Sequence, residues 1–132
     1  MTPFGRKLRT LRGERGLTLK GMAADLDVSS AYLSALEHGN RGRPNRRFVH
    51  RVCQSLNIIW DDAEMLQRLA DLSHPRPVVD TAGLSPEATE LANRLAEGIH
   101  DLPQDAIERM LDELRKASEE SCQTGKSGNG IA

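Results

Sequence analysis

Five times along this chain a capping side chain stands just before a stretch with helical hydrophobic spacing: Thr2-Pro3, Thr18, Ser29, Asn45 and Ser85-Pro86. An oxygen at that position accepts from backbone amides that a helix start leaves without partners, and a proline in the first turn has no amide to leave unsatisfied. Gly16 and Gly39 stand where two of the stretches stop, as a left-handed closing residue requires. Val-, Ile- and Thr-rich alternation is absent, so no strands are expected. The fold class read from this punctuation is all-α. Aromatic residues make up only 3% of the 132, so the core has to come from Leu, Ile, Val, Met and Ala. A chain of this length buries roughly two-thirds of its unfolded surface, enough for a core without staples.

The spacing predicts five helices over residues 1–73. Phe4, Leu8, Leu11 and Arg12 share one face of the first. Met22, Ala23 and Leu26 point inward from the second, Asp27 falls at a turn, and Leu33 and Leu36 point inward from the third. After a loop marked by Gly42 and Pro44, the fourth buries Phe48, Val49, Val52, Cys53 and Leu56. The fifth runs from about Asp61 to Ser73 with Met65, Leu66, Leu69 and Leu72 as its stripe, and Asp61, Asp62 and Glu64 at its start suit the helix dipole. Trp60 is expected as a core plug, with ligand stacking as the alternative. Residues 74–84, HPRPVVDTAGL, form a linker. Residues 85–120 form a helical hairpin whose apolar positions are Leu91, Leu95, Ile99, Ile107, Met110, Leu111 and Leu114. Residues 121–132 read as a disordered tail.

The formal charge of −1 hides a division. Residues 1–51 hold eleven Lys and Arg against four acids, and residues 52–132 hold seven against fifteen. A basic half meets a polyanion and an acidic half does not. No apolar run approaches the ~18 residues a membrane span needs, no signal peptide opens the chain, and two reduced thiols (Cys53, Cys122) fit a cytoplasmic protein without membrane partners. The four histidines make no HExxH, the two cysteines no CxxC, and neither GxSxG nor a phosphate-cradling glycine loop occurs. No metal site, no cofactor and no catalytic constellation follow, and the chain is not expected to be an enzyme.

The segment TLKGMAADLDVSSAYLSALEHG, Thr18 to Gly39, resembles the helix-turn-helix of the Cro and phage-repressor class, the XRE family. Ala23 matches the small residue between the two helices, Val28 and Leu33 the apolar anchors after the turn, and Leu36-Glu37 with Gly39 the close. FGRKLRTLRGERGLT resembles the family's first helix, and the likeness covers roughly residues 3 to 73. Leu19 stands where Gln is usual and Asp27 where Gly is usual; Asp tolerates a left-handed backbone better than most residues. The resemblance implies a five-helix repressor-like domain; the C-terminal helical hairpin that follows, read from the residues themselves, lies outside the likeness. The resemblance implies that Ser30, Ala31, Tyr32 and Ala35 face base edges, flanked by Ser34. Phosphate contacts are expected from Thr18, Lys20, Ser29, Arg41, Arg43, Asn45, Arg46 and Arg47. The resemblance also implies an inward ion pair between Arg12 and Glu37, the alternative being two exposed charges.

None of the base-facing residues is Arg, Asn or Gln, so sequence preference is expected to lean on van der Waals fit, water and DNA shape, the alternative being an arginine of the following loop that reaches a base. Arg46 and Arg47 fall in the first turn of the fourth helix, where the dipole disfavours cations unless a phosphate docks beside them. The function expected is a sequence-specific regulator of transcription, a repressor acting on double-stranded DNA as a homodimer through the acidic hairpin. That hairpin could instead pack on helix five. The alternative function is an antitoxin-type protein whose acidic half neutralises a partner.

Overall fold

The computed structural model of the protein describes residues 1–40 and 42–129, and every regular element among them is helical. The chain divides into two units, residues 1–78 and the residues from Val79 onward. The first holds α1 (Pro3–Glu14), α2 (Leu19–Asp25), α3 (Ser30–His38), α4 (Arg46–Leu56) and α5 (Asp61–Asp71).

The caps do what their chemistry allows. Thr2 Oγ1 accepts from the Gly5 amide at 3.0 Å, Thr18 Oγ1 from Gly21 at 2.9 Å, Ser29 Oγ from Tyr32 at 3.1 Å, and Asn45 Oδ1 from Phe48 at 2.8 Å. Each such cap contributes about 1 kcal/mol. Gly39 closes α3 at φ 78° and Asn57 closes α4 at φ 57°.

The core lies where the five helices converge. Phe4, Leu8 and Leu11 of α1 meet Met22, Ala23 and Leu26, Leu33 and Leu36, Phe48, Val49, Val52 and Leu56, and Leu66 and Ala70. At roughly 1.5–3 kcal/mol for each large aliphatic or aromatic side chain, this cluster is the main stabilising term of the unit. α1 packs on α3 and α5, α2 on α3, and α4 on α5. Two details close the bundle. A Cβ on Gly5 would lie 2.5 Å from the Leu36 carbonyl oxygen and 2.8 Å from that of Glu37, so only glycine lets α1 approach α3 this closely. Buried Ser73 accepts from the Phe4 amide at 3.0 Å and donates to the Leu69 carbonyl at 2.6 Å, tying the chain after α5 to the start of α1.

Three expectations are corrected. Trp60 is no core plug: it is 82% exposed, with φ 57° and ψ −128°, a strained backbone for a bulky residue. The core space beside it is taken by half-buried Ile58, which packs against the cluster. In α5 the inward residues are Leu66 and Ala70, while Met65 and Leu72 are exposed and the helix ends at Asp71. Counting large side chains alone missed Ala70 and rotated the stripe. Of the stretch expected to be a disordered tail, residues 121–129 are helical and continue α7, and residues 130–132 lie outside the described residues. Extending an existing helix needs no new nucleus, so indifferent residues can follow it.

In the second unit α6 (Pro86–Gly98) is capped by Ser85, which accepts from the Ala88 amide at 3.2 Å. A 3-10 turn (Ile99–Asp101) follows and packs on α6, and α7 (Gln104–Asn129) completes the unit. No residue of α6 or of the turn is buried. Leu91, Leu95, Ile99, Met110, Leu111 and Leu114 are all exposed, Leu91 and Leu114 at 63% and 65%, and Ile107 is half-buried.

Candidate nucleic-acid interface

α2 and α3 are joined by a tight turn. Leu26 closes α2, Asp27 takes φ 55°, and the Val28 amide returns to the Ala23 carbonyl at 3.0 Å. Buried Ala23 lets the two helices meet, and Val28 packs against the core. The end of α2 has a support that the sequence did not disclose. Arg51 on α4 donates through Nη1 to the Leu26 carbonyl at 2.9 Å. It sat among the basic residues of the amino-terminal half, and only the fold gives it this partner. Leu19, standing where a polar residue is usual, also packs against the core.

α3 is held along one side. Leu33, Leu36 and Glu37 are buried, with Glu37 at 3% exposure. Arg12 meets that carboxylate with two hydrogen bonds, Nε to Oε1 at 2.9 Å and Nη2 to Oε2 at 3.2 Å, and Nη1 reaches the Leu17 carbonyl at 3.4 Å. The guanidinium keeps 22% of its side-chain surface exposed. Its hydrogen bond to Glu37, aided by that residue's charge and opposed by burial, holds its pKa above the usual arginine range. The pair locks α1 to α3.

Helical phase sorts the residues expected to face bases. Opposite the buried side lie Ala31 and Ala35, separated by one turn, and His38 continues their line three residues further. Ala31 and His38 are exposed, while Ser30, Ser34 and Ala35 are half-buried. The Tyr32 ring packs edge-on against Phe48, with centroids 5.8 Å apart and planes at 81°, and Phe48 in turn meets Phe4 at 6.3 Å. Tyr32 is therefore shared between core margin and surface. His38 was missed. Its Nδ1 lies 2.8 Å from the Ser34 carbonyl, so that nitrogen carries the proton and donates. Counting in sevens from Ala31 would have found it.

Among the described residues, those expected to hold phosphates are exposed polar groups before and after α3 in the chain. Thr18 and Ser29 each accept a backbone amide and keep a hydroxyl proton to donate elsewhere. Lys20 is exposed on α2. Asn45 caps α4 with its carbonyl oxygen, and Arg46 and Arg47 are the first two helical residues, both exposed. Arg43 is exposed in the loop beside buried Pro44, and Arg41 lies outside the described residues. The Cys53 thiol, half-buried on α4 seven residues beyond Arg46 and so on the same face, is pushed up in pKa by burial and packs against the core. Among the described residues no cluster of His, Cys, Asp and Glu could hold a metal ion, and no helix is long and apolar enough to cross a membrane.

Comparison with known proteins bears on the same segment. The profile of a family described as "Helix-turn-helix domain" matches residues 3–69. The chain is 36% identical over 62 residues to the HTH-type transcriptional regulator RghRB of Bacillus subtilis (strain 168), covering 47% of this chain and 45% of that protein. It is 38% identical over 61 residues to the HTH-type transcriptional repressor RghR of the same organism, covering 46% and 45%. The chain thus spans about half the length of these relatives. Among solved structures, a chain of the SinR protein/SinI protein complex aligns at 20% identity and a TM-score of 0.42, over 88% of this chain and 98% of that one.

Proposed function

Because the chain belongs to the helix-turn-helix domain family, we propose that its first unit binds double-stranded DNA and that the protein acts as a dimeric repressor of transcription. In this reading α3 lies in the major groove. Ala31 and Ala35 present methyl groups to base edges, Ser34 and Tyr32 flank them, and Ser30 lies at the entry of the helix. Thr18, Lys20, Ser29, Arg43, Asn45, Arg46 and Arg47 hold phosphates, and Arg41 adds its charge to the same loop.

One observation carries the proposal. α3 is clamped on its inner side by Arg12 and by the close approach at Gly5, and its outer side carries only small side chains and His38. A surface helix stripped of bulk has little use in water but lets a backbone come close to a groove floor. The charge of the amino-terminal half and the names of the two relatives support the same reading. Operators for this motif are read as two half-sites by twofold dimers. The open apolar side chains of α6 and α7 support pairing there, and their acidic surroundings would keep that end away from phosphates.

The test is binding of the full chain to genomic duplex fragments across a salt series, with its mass measured in solution. Some six to ten phosphate contacts by a dimer predict a loss of about 10³- to 10⁵-fold in affinity between 50 and 200 mM salt. Replacing Arg46 and Arg47 with Ala should weaken every sequence alike and flatten the slope. Changes at Ala31 should shift preference between sequences. A salt-independent affinity, or an arginine pair that alters preference alone, removes the proposal.

A further inference from the structure

A groove of about 920 Å³ runs between α4 and α5, inside the first unit and on the side of α4 that the core leaves open. Its floor is apolar, made by Val49, Cys53, Ile58, Ile59 and Ala63. Ile59, exposed at 58%, extends this apolar floor to the surface. Its charged rim is of one sign. Arg46 and Arg47 line it, with His50 one turn further on, and among the described residues no acidic one does. The groove follows α4, whose 11 residues span about 16 Å at 1.5 Å each, enough for three turns of a docked helix.

We infer that this groove receives an acidic amphipathic helix of a partner protein, and that this helix and DNA exclude each other. The apolar floor matches the i, i+3/i+4, i+7 anchors of a helix laid in a groove. The cationic end fixes the sign of the charges flanking those anchors, because a basic helix would meet Arg46 and Arg47 with repulsion. A second copy docking groove to groove fits less well, since the described lining holds no carboxylate to offer the arginines of the other copy. Exclusion follows from shared residues and so rests on the proposed reading of Arg46 and Arg47 as phosphate contacts. A carboxylate paired with them occupies the donors that a phosphate needs. The groove is then the place where a partner switches off DNA binding without touching α3.

The test uses the full chain carrying Cys122→Ser, so that Cys53 on the groove floor is its single thiol. The probe is a synthetic helical peptide of about five turns with Leu at the anchor positions and Glu elsewhere, and its control carries Lys in place of Glu. Cys53 alkylation by iodoacetamide is followed by mass spectrometry, and binding to a mixed-sequence duplex is followed at low salt. At about ten times its own dissociation constant the Glu peptide should slow alkylation about tenfold and raise the apparent Kd for DNA by a similar factor. The Lys peptide should do neither, and Ala63→Glu should abolish the peptide effect while leaving duplex binding in place. Unchanged alkylation with the Glu peptide, or equal protection by the Lys peptide, overturns the inference. So does protection that rises with protein concentration alone, which would assign the groove to a second copy. Protection without displacement of DNA overturns the exclusion. Absence of duplex binding before any peptide is added counts against the DNA reading, whereas the alkylation arm still decides the docking.

Discussion

Gly5→Ala puts one methyl group where α1 crosses α3, and the structure gives the size of the misfit. The added carbon would lie 2.5 Å from the Leu36 carbonyl oxygen, 2.8 Å from that of Glu37 and 3.1 Å from the Glu37 carbonyl carbon. Ordinary C···O contacts begin at about 3.3 Å, so α1 has to withdraw by roughly 0.8 Å. No side chain can turn aside, because all three neighbours are backbone. A gap of 0.5–1 Å forfeits about a quarter to a half of each dispersion contact across the seam, and Phe4 and Leu8 lie along it. Overpacking costs about 1–3 kcal/mol in general, and an unyielding backbone places this case at the top of that range. Alanine's better helix propensity returns about 1 kcal/mol, leaving a net loss of about 2 kcal/mol. For a unit of this size that lowers the melting temperature by about 10 °C. Gly13→Ala is the internal control: it lies in the same helix with nothing within 4 Å of its added carbon, and should stabilise by up to about 1 kcal/mol. Calorimetry of the full chain separates the two. If Gly5→Ala proves neutral or stabilising alongside Gly13→Ala, the close approach of α1 to α3 is wrong.

Other substitutions probe other joints. Arg12→Ala leaves the buried Glu37 carboxylate without its partner and should cost about 3 kcal/mol, the low end for a buried pair because the guanidinium is partly wet; urea unfolding reads it, and a loss under 1 kcal/mol would mean that water already serves Glu37. Asp27→Gly removes a side chain from φ 55° and should stabilise by about 0.5–1 kcal/mol, against which a measured destabilisation would show that the Asp side chain itself supports the turn. Leu91→Glu with Leu95→Glu should convert a dimer to monomers in analytical ultracentrifugation while leaving the melting of the first unit unchanged; an unchanged mass would move the dimer contact elsewhere.

The helices were legible because their ends are chemical. Thr18, Ser29 and Asn45 each cap the helix that their position announced, and Gly39 closes α3 in the conformation glycine favours. Faces were legible where large apolar residues mark them, and not where a small residue does the burying, as Ala70 does in α5. Nothing in the sequence singles out Gly5, because a close approach is a property of two elements, and the carbonyls of Leu36 and Glu37 lie more than thirty residues away. Arg51 and Ser73 escaped for the same reason, each finding a backbone partner that only the fold brings near. Trp60 failed differently. Hydrophobicity placed it inside, but the two left-handed residues Asn57 and Trp60 bend the chain twice within four positions, and Ile58 takes the interior.

On the proposed function, stability and binding divide between the groups that hold α3 and the arginines of α4. On the inner side every polar group is satisfied: Glu37 by Arg12, and the end of α2 by Arg51. These contacts fix where α3 sits and leave nothing for a ligand. Arg46 and Arg47 are placed the opposite way, as two cations beside the positive end of a helix. Each is disfavoured there by a few tenths of a kcal/mol, and neither is in any ion pair among the described residues. An anion placed between them relieves their mutual repulsion and the dipole together, so the gain on binding exceeds what the same two charges would give if already paired. Moving that anion from a phosphate to a carboxylate requires no change in the fold. On the proposed function, such a protein would hold its reading helix rigid with satisfied groups and regulate occupancy through unsatisfied ones.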